Sequence, residues 1–252
     1  MELGLRGKKV IINGGSRGLG RAALEMYAAE GCDIAFFSRD AARVAETVKV
    51  LESHGVKVFG DAFDMNDSEA YKKWLISAAE RLGGCDIFIH NASSSGAQGT
   101  TDWDMTFRLD MMGAVIGCET LEEHLSASGE GSVILMSSTA AVETFMIPQA
   151  FNAIKAAIIT YGKQLSQAWG EKKIRVNMVS PGPIEYPGGN WSAIKEAMPE
   201  VYDQTLSQMV LGRFGEPKDV AGTVVFLSSP AASYITGTNV VIDGGYTKRV
   251  QF

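Results

Sequence analysis

The segment Asn13-Gly14-Gly15-Ser16-Arg17-Gly18-Leu19-Gly20 holds residue types whose spacing suits phosphate binding. Glycines at 14, 18 and 20 permit a tight turn and a close approach of backbone to a pyrophosphate. A helix opening from that turn offers free N–H groups and the positive end of its dipole. A glycine-rich loop by itself is a plain β–α turn; set between a first strand and a first helix, it reads as a dinucleotide site. The end of the second strand then selects the dinucleotide. An acidic residue there would accept hydrogen bonds from a ribose 2′-hydroxyl and repel a 2′-phosphate, but this chain has Ser38-Arg39, with Arg17 in the glycine loop able to face the same spot. Two guanidinium groups and a hydroxyl suit a phosphate, so the expected cofactor is NADP(H). Asp40 reads as the cap of a helix beginning near Ala41.

The elements that must position these groups follow from apolar patterning. Short apolar runs at Lys9–Asn13, Asp33–Phe37, Val56–Gly60, Asp86–His90, Ser132–Met136, Ile174–Val179 and Asn239–Ile242 read as strands. Helical periodicity covers 18–31, 41–54, 67–82, a long stretch of roughly 103–127, and most strongly 149–169, where Phe151, Ile154, Ile158, Tyr161, Leu165 and Trp169 recur every three to four residues. Strands without polar alternation are buried on both faces, as in parallel sheets. Repeated βα units then give a single doubly wound α/β domain of Rossmann type over 1–252, with a seven-stranded, mostly parallel sheet whose ligand crevice lies at the carboxyl ends of the strands.

Composition agrees. The chain has 252 residues, 46% hydrophobic and 21% charged, enough apolar content for a substantial core and too much for disorder. A net charge of −6 gives no electrostatic case for nucleic acid or an anionic membrane. No apolar run is long enough to span a bilayer, and the N-terminus carries no signal-peptide pattern. Cys32, Cys85 and Cys118 have no metal-ligand spacing; they read as buried thiols in a reducing compartment, so a cytoplasmic protein without a metal is expected.

The chain resembles the short-chain dehydrogenase/reductase family over almost its whole length. The resemblance rests on Gly14-x-x-x-Gly18-x-Gly20, Asp64-Met65 after strand three, and His90-Asn91-Ala92-Ser93 in place of the family's Asn-Asn-Ala-Gly. It continues through Ser137-Ser138, Lys155, Asn177-x-Val179-Ser180-Pro181-Gly182-Pro183-Ile184, Gly212-Arg213-Phe214-Gly215-Glu216-Pro217, and Ile235-Thr236-Gly237 to Asp243-Gly244-Gly245. It implies a nicotinamide cofactor and a homotetramer or homodimer. By position, Ser16 and Leu19 belong to the cofactor turn, Asp64 and Met65 hold the adenine, Asn91 and Ala92 the adenosine side, and Pro181, Gly182 and Ile184 the nicotinamide.

The family's catalytic tetrad is Asn, Ser, Tyr and Lys, and here the chain departs from it. Phe151-Asn152-Ala153-Ile154-Lys155 puts phenylalanine where tyrosine belongs, while Ser138 keeps its spacing and Asp110 falls where asparagine is usual. Lys155 holds ribose hydroxyls whether or not chemistry occurs. Ser138 contacts substrate or satisfies local backbone, and Asp110 is a structural acceptor or a chemical group. A phenyl ring has no exchangeable proton, and general acid catalysis is worth ~10²–10⁴-fold.

Three routes remain. A surrogate donor serves an NADP(H)-dependent ketoreductase: Tyr186, where the family usually has threonine, or Glu185, or water positioned by Ser138. Alternatively the substrate needs no acid, as for an iminium or an activated alkene, and Asp110 favours the cation electrostatically. In the third, the protein binds the nucleotide without redox turnover. Residues 185–210 form an expected helical lid over the substrate. Trp191 in that lid, with Phe145, Met146 and Phe151, suggests an apolar or aromatic carbonyl or alcohol, although the lid's apolar stripe equally serves to dock it on the core.

Overall fold

The computed structural model describes residues 2–94, 101–144 and 149–250. β1 (Lys9–Asn13), β2 (Asp33–Ser38), β3 (Val58–Ala62), β4 (Ile87–His90), β5 (Gly131–Met136), β6 (Ile174–Pro181) and β7 (Asn239–Ile242) form one sheet of order β3-β2-β1-β4-β5-β6-β7. Every pairing in it is parallel. Chain order reverses between β1 and β4, where Asn13 pairs with His90. That reversal opens the crevice at the carboxyl ends of the strands.

Alternate residues of each central strand feed two cores. Val10, Ile12, Ile34, Phe36, Ile89 and Ile134 face α1 (Gly18–Ala29), α2 (Ala41–Glu52) and α9 (Pro217–Ser228). Ile11, Ala35, Phe37, Phe88, Val133 and Leu135 face α3 (Ser68–Leu82), α5 (Gly113–Ala127) and α6 (Ala150–Ala168). This double burial is why the strands read as unbroken apolar runs. Each of the Val, Ile, Leu and Phe side chains contributes about 1.5–3 kcal/mol on leaving water. Asp40 and Asp67 cap α2 and α3 by accepting backbone N–H bonds in the first turn.

The stretch 103–127 differs from a single long helix. α4 (Trp103–Thr106) leads into a π-helical segment, Phe107–Met112, before α5. The expected β3 lies two residues later in the chain, and β6 runs on to Pro181. The segment expected as a lid contains α7 (Asn190–Ala197) and α8 (Pro199–Ser207). Among the described residues no helix is long and apolar enough to cross a membrane.

Candidate active site

The glycine turn is built as its composition demands. Gly14 and Gly18 take positive φ of 76° and 55°, in the left-handed region that favours glycine. A Cβ on Gly20 would stand 2.2 Å from the Gly14 carbonyl oxygen, so α1 reaches the turn only with glycine there. Arg17, the N-cap of α1, makes no side-chain capping bond, which leaves the first-turn N–H groups to an anion. Behind the turn, the Asn91 amide donates to the Gly14 carbonyl at 2.7 Å. Asn91 therefore braces the turn in this structure.

At the end of β2, the Ser38 hydroxyl is buried without a hydrogen-bond partner, and Arg39 is exposed with no ion pair among the described residues. Asp40 turns away to accept from the Arg43 backbone and guanidinium. Arg17 reaches the Gly188 carbonyl at 3.4 Å, a long contact easily exchanged for a stronger acceptor. An orphaned hydroxyl beside an unpaired guanidinium fits a phosphorylated ribose. Asp64 accepts from Asn66 in a local turn, and Met65 is buried. Ser16 is buried and Leu19 packs on the first core.

Asn13 is the organiser that motif reading passed over. At the end of β1, its side-chain Oδ1 accepts from the backbone N–H groups of Asn91 and Ala92, each at 2.7 Å. Its amide nitrogen donates to Tyr71 Oη at 2.9 Å and meets His90 Nδ1 at 2.8 Å. Burial, and then the Lys155 charge, push His90 down to about 3, so it is neutral and accepts from Asn13.

Between β4 and β5 the structure joins Lys155 and Asp110. Lys155 Nζ lies 2.9 Å from Asp110 Oδ1, with side-chain exposures of 2% and 0%, and donates to the Met136 carbonyl at 2.8 Å. Asp110 also accepts from Ser93 Oγ at 2.7 Å and from the Ser94 backbone N–H at 2.8 Å. Burial opposes the Asp110 carboxylate. The Lys155 charge and the bonds from Lys155, Ser93 and Ser94 outweigh it and hold the carboxyl below the usual aspartate range. An ionised, fully engaged carboxylate has no proton to give, and its bonds to Lys155, Ser93 and Ser94 match the structural-acceptor reading of Asp110. Ser137 fixes the helix to the strand end by donating to the Lys155 carbonyl at 2.9 Å.

The remaining expected site residues are dispersed. Ser138 is half-buried and its Oγ accepts from the Ala140 backbone at 3.2 Å. One turn before Lys155, the Phe151 ring lies with its centroid 5.6 Å from Nζ. Pro181 ends β6, Gly182 donates to the Ile242 carbonyl, and buried Ile184 bridges to Gly215. Tyr186 lies over the glycine turn: a Cβ on Gly18 would meet its Cζ at 2.6 Å. Glu185 accepts from Tyr202 at 2.7 Å and from Lys195 at 3.1 Å, which commits it to the lid. The Trp191 ring lies tilted against Phe214 with centroids 4.9 Å apart, packed on the cluster of Tyr202, Met209 and Phe214. Phe145 and Met146 lie outside the described residues. Just beyond Ser138, a cavity of about 140 Å³ is lined by Thr139, Glu143, Thr144, Gln208, Tyr246 and Lys248, among others. These polar groups come from three separate stretches of chain, and no sequence motif linked them.

A doubly wound sheet with a glycine turn at its switch point and a buried lysine on α6, bonded to the end of β5, defines a nucleotide-dependent enzyme class. The family model described as enoyl-(acyl carrier protein) reductase matches residues 14–247. The isoepoxydon dehydrogenase patN of Aspergillus clavatus is 38% identical, covering 98% of both chains. The isoepoxydon dehydrogenase patN of Penicillium expansum is 35% identical over 100% of this chain and 99% of its own. L-sorbose reductase from Gluconobacter frateurii, solved with NADPH and L-sorbose, superposes with a TM-score of 0.88 at 29% identity, covering 99% of this chain and 100% of that one. This chain belongs to the short-chain dehydrogenase/reductase family.

Proposed function

We propose that this protein is an NADP(H)-dependent oxidoreductase that interconverts a small, oxygenated alcohol and its ketone without a tyrosine acid. The observation that carries the cofactor reading is the pair of unsatisfied groups, Ser38 Oγ and the Arg39 guanidinium, beside an uncapped helix N-terminus. The NADPH-bound sorbose reductase supports it. When bound, the nicotinamide supplies or accepts the hydride. Arg39 and Ser38 hold the 2′-phosphate, and the first turn of α1 holds the pyrophosphate.

The chain's own groups do the rest. Lys155 is fixed at the crevice by Met136 and Asp110 and is placed to bind ribose hydroxyls. Ser138 orients the substrate oxygen and positions the water that exchanges its proton; Phe151 shields that oxygen's neighbourhood from bulk solvent. Tyr186, lodged on Gly18, closes the glycine turn rather than donating a proton. The polar cavity beyond Ser138 supports a hydroxylated substrate over the apolar or aromatic one suggested by the lid's stripe, in keeping with relatives named for isoepoxydon and sorbose.

Steady-state assays with NADPH and cyclic or polyhydroxylated ketones test this reading. Ser138→Ala is expected to lower kcat by about 10²-fold or more, while Tyr186→Phe leaves kcat within a few-fold. The reverse pattern would transfer the donor role to Tyr186. A second reading has one specific support: the Lys155 charge is met by Asp110, so a cationic iminium entering the cleft meets no uncompensated positive charge. It predicts turnover of cyclic imines without ketone reduction.

A further inference from the structure

We propose that Asp110, supported by Ser93, is a counter-charge that cancels Lys155, so that the carboxylate at 110 and the phenyl ring at 151 are one coupled adaptation. On this view, restoring a hydroxyl at 151 does not restore an acid unless the carboxylate is also removed. This deepens the proposed function but rests on the geometry of the free protein.

Lys155 is nine-tenths buried and more, and the ring on its own helix face is apolar. A lone ammonium in such a place carries a large desolvation cost. Asp110 meets it at 2.9 Å, and the same carboxylate oxygen accepts from Ser93 Oγ at 2.7 Å. Its second oxygen takes the Ser94 N–H. The π-helical segment Phe107–Met112 carries Asp110 to this point. The resemblance to the family puts asparagine at 110, glycine at 93 and tyrosine at 151. This chain differs at all three positions: Asp110 meets the ammonium directly, Ser93 bonds the same carboxylate oxygen, and the Phe151 ring lies 5.6 Å from Nζ.

The electrostatic consequence is general. A cation about 4–6 Å from a phenol favours the phenolate and lowers its pKa by about 1–3 units, whereas a nearby carboxylate opposes that. Lys155 Nζ stands 5.6 Å from the centroid at 151, close enough to act on a phenol there. With Asp110 in contact, the field reaching position 151 is that of an ion pair. Among the described residues, His90 also faces the pair; it is neutral and adds no charge.

The test is a difference ultraviolet titration of nucleotide-free protein, in which each variant is compared with its Phe151 parent to isolate the one added phenol. In Phe151→Tyr alone the phenol is expected to ionise no more readily than free tyrosine, near pH ~10. In Phe151→Tyr/Asp110→Asn its ionisation constant is expected to rise about 10- to 1000-fold. Equal values in the two proteins, or an acidified phenol in the single variant, would overturn the proposal.

Should tyrosine not be accommodated, Phe151→Cys repeats the comparison through the pH dependence of thiol alkylation. Cys32, Cys85 and Cys118 are buried, with thiols that burial raises far above the working range, so they contribute little background. If Asp110→Asn fails to fold, rescue by Lys155→Met supports the counter-charge, and no rescue overturns it. None of these readouts involves hydride transfer. An acidified phenol in the double variant without ketone reduction would therefore uphold this inference while contradicting the proposed function.

Discussion

Asp110 and Lys155 carry the energetic stakes at the scale of single residues. Removing one member of a buried ion pair strands the other, at a cost of about 3–5 kcal/mol. Asp110→Ala is expected to lose about that much in a urea unfolding titration, and Asp110→Leu/Lys155→Met to recover most of it; equal losses in both would mean that the pair contributes through packing alone. The sign of the pH dependence follows from the depressed Asp110 carboxyl. Its contribution is present above the unfolded aspartate value of ~3.9 and is lost as pH falls through the lower folded value. Acid unfolding of Asp110→Asn should accordingly show a shallower fall in stability below about pH 4 than the parent. Arg39→Asp tests the cofactor pocket. The variant should bind NADPH at least 10-fold more weakly and NADH no worse, because a carboxylate repels a 2′-phosphate and accepts from a 2′-hydroxyl. Unchanged NADPH affinity would remove Arg39 from the site.

Among the elements, the β1–α1 turn is the part whose function depends most on a missing side chain. Gly20→Ala places a methyl 2.2 Å from the Gly14 carbonyl, a contact between backbone and Cβ that no rotamer relieves. NADPH binding is expected to fall at least 10-fold while circular dichroism retains the α/β signature; intact binding would contradict the turn's role. This turn and the strands were legible in the sequence because glycines and doubly buried apolar runs are local signals. The path from 103 to 127 was less so: apolar spacing does not separate α from π hydrogen bonding, and the π segment is where Asp110 sits. The Asp110–Lys155 contact was hidden for a related reason, since the partners lie on different elements and Ser93 sits on a loop end. Asn13 was in plain view as the first residue of the glycine motif. Its bonds to Asn91 and Ala92 depend on the pairing of β1 with β4, which no local pattern states.

For the molecule as a whole, sheet order puts the nucleotide cradle of β1 and β2 on one side of the switch point and the Ser138–Lys155 end of β5 on the other. In the segment expected as a lid, Tyr186 rests on Gly18, and Trp191 of α7 and Tyr202 of α8 both pack on Phe214. Family membership and fold were readable from motifs spread along the chain, whereas the polar cavity beyond Ser138 is assembled from residues around 139–144, 208 and 246–248 and emerges only once the chain is folded. The most direct measurement uses NADPH deuterated at its transferable position, incubated with hydroxylated ketones, cyclic imines and activated alkenes, with mass spectrometry of the products. The account predicts deuterium on the carbinol carbon of an alcohol, and its loss in Ser138→Ala and Lys155→Ala. Label confined to amines would replace the ketone reading by iminium reduction, and no label in any product while NADPH is bound would contradict the oxidoreductase assignment.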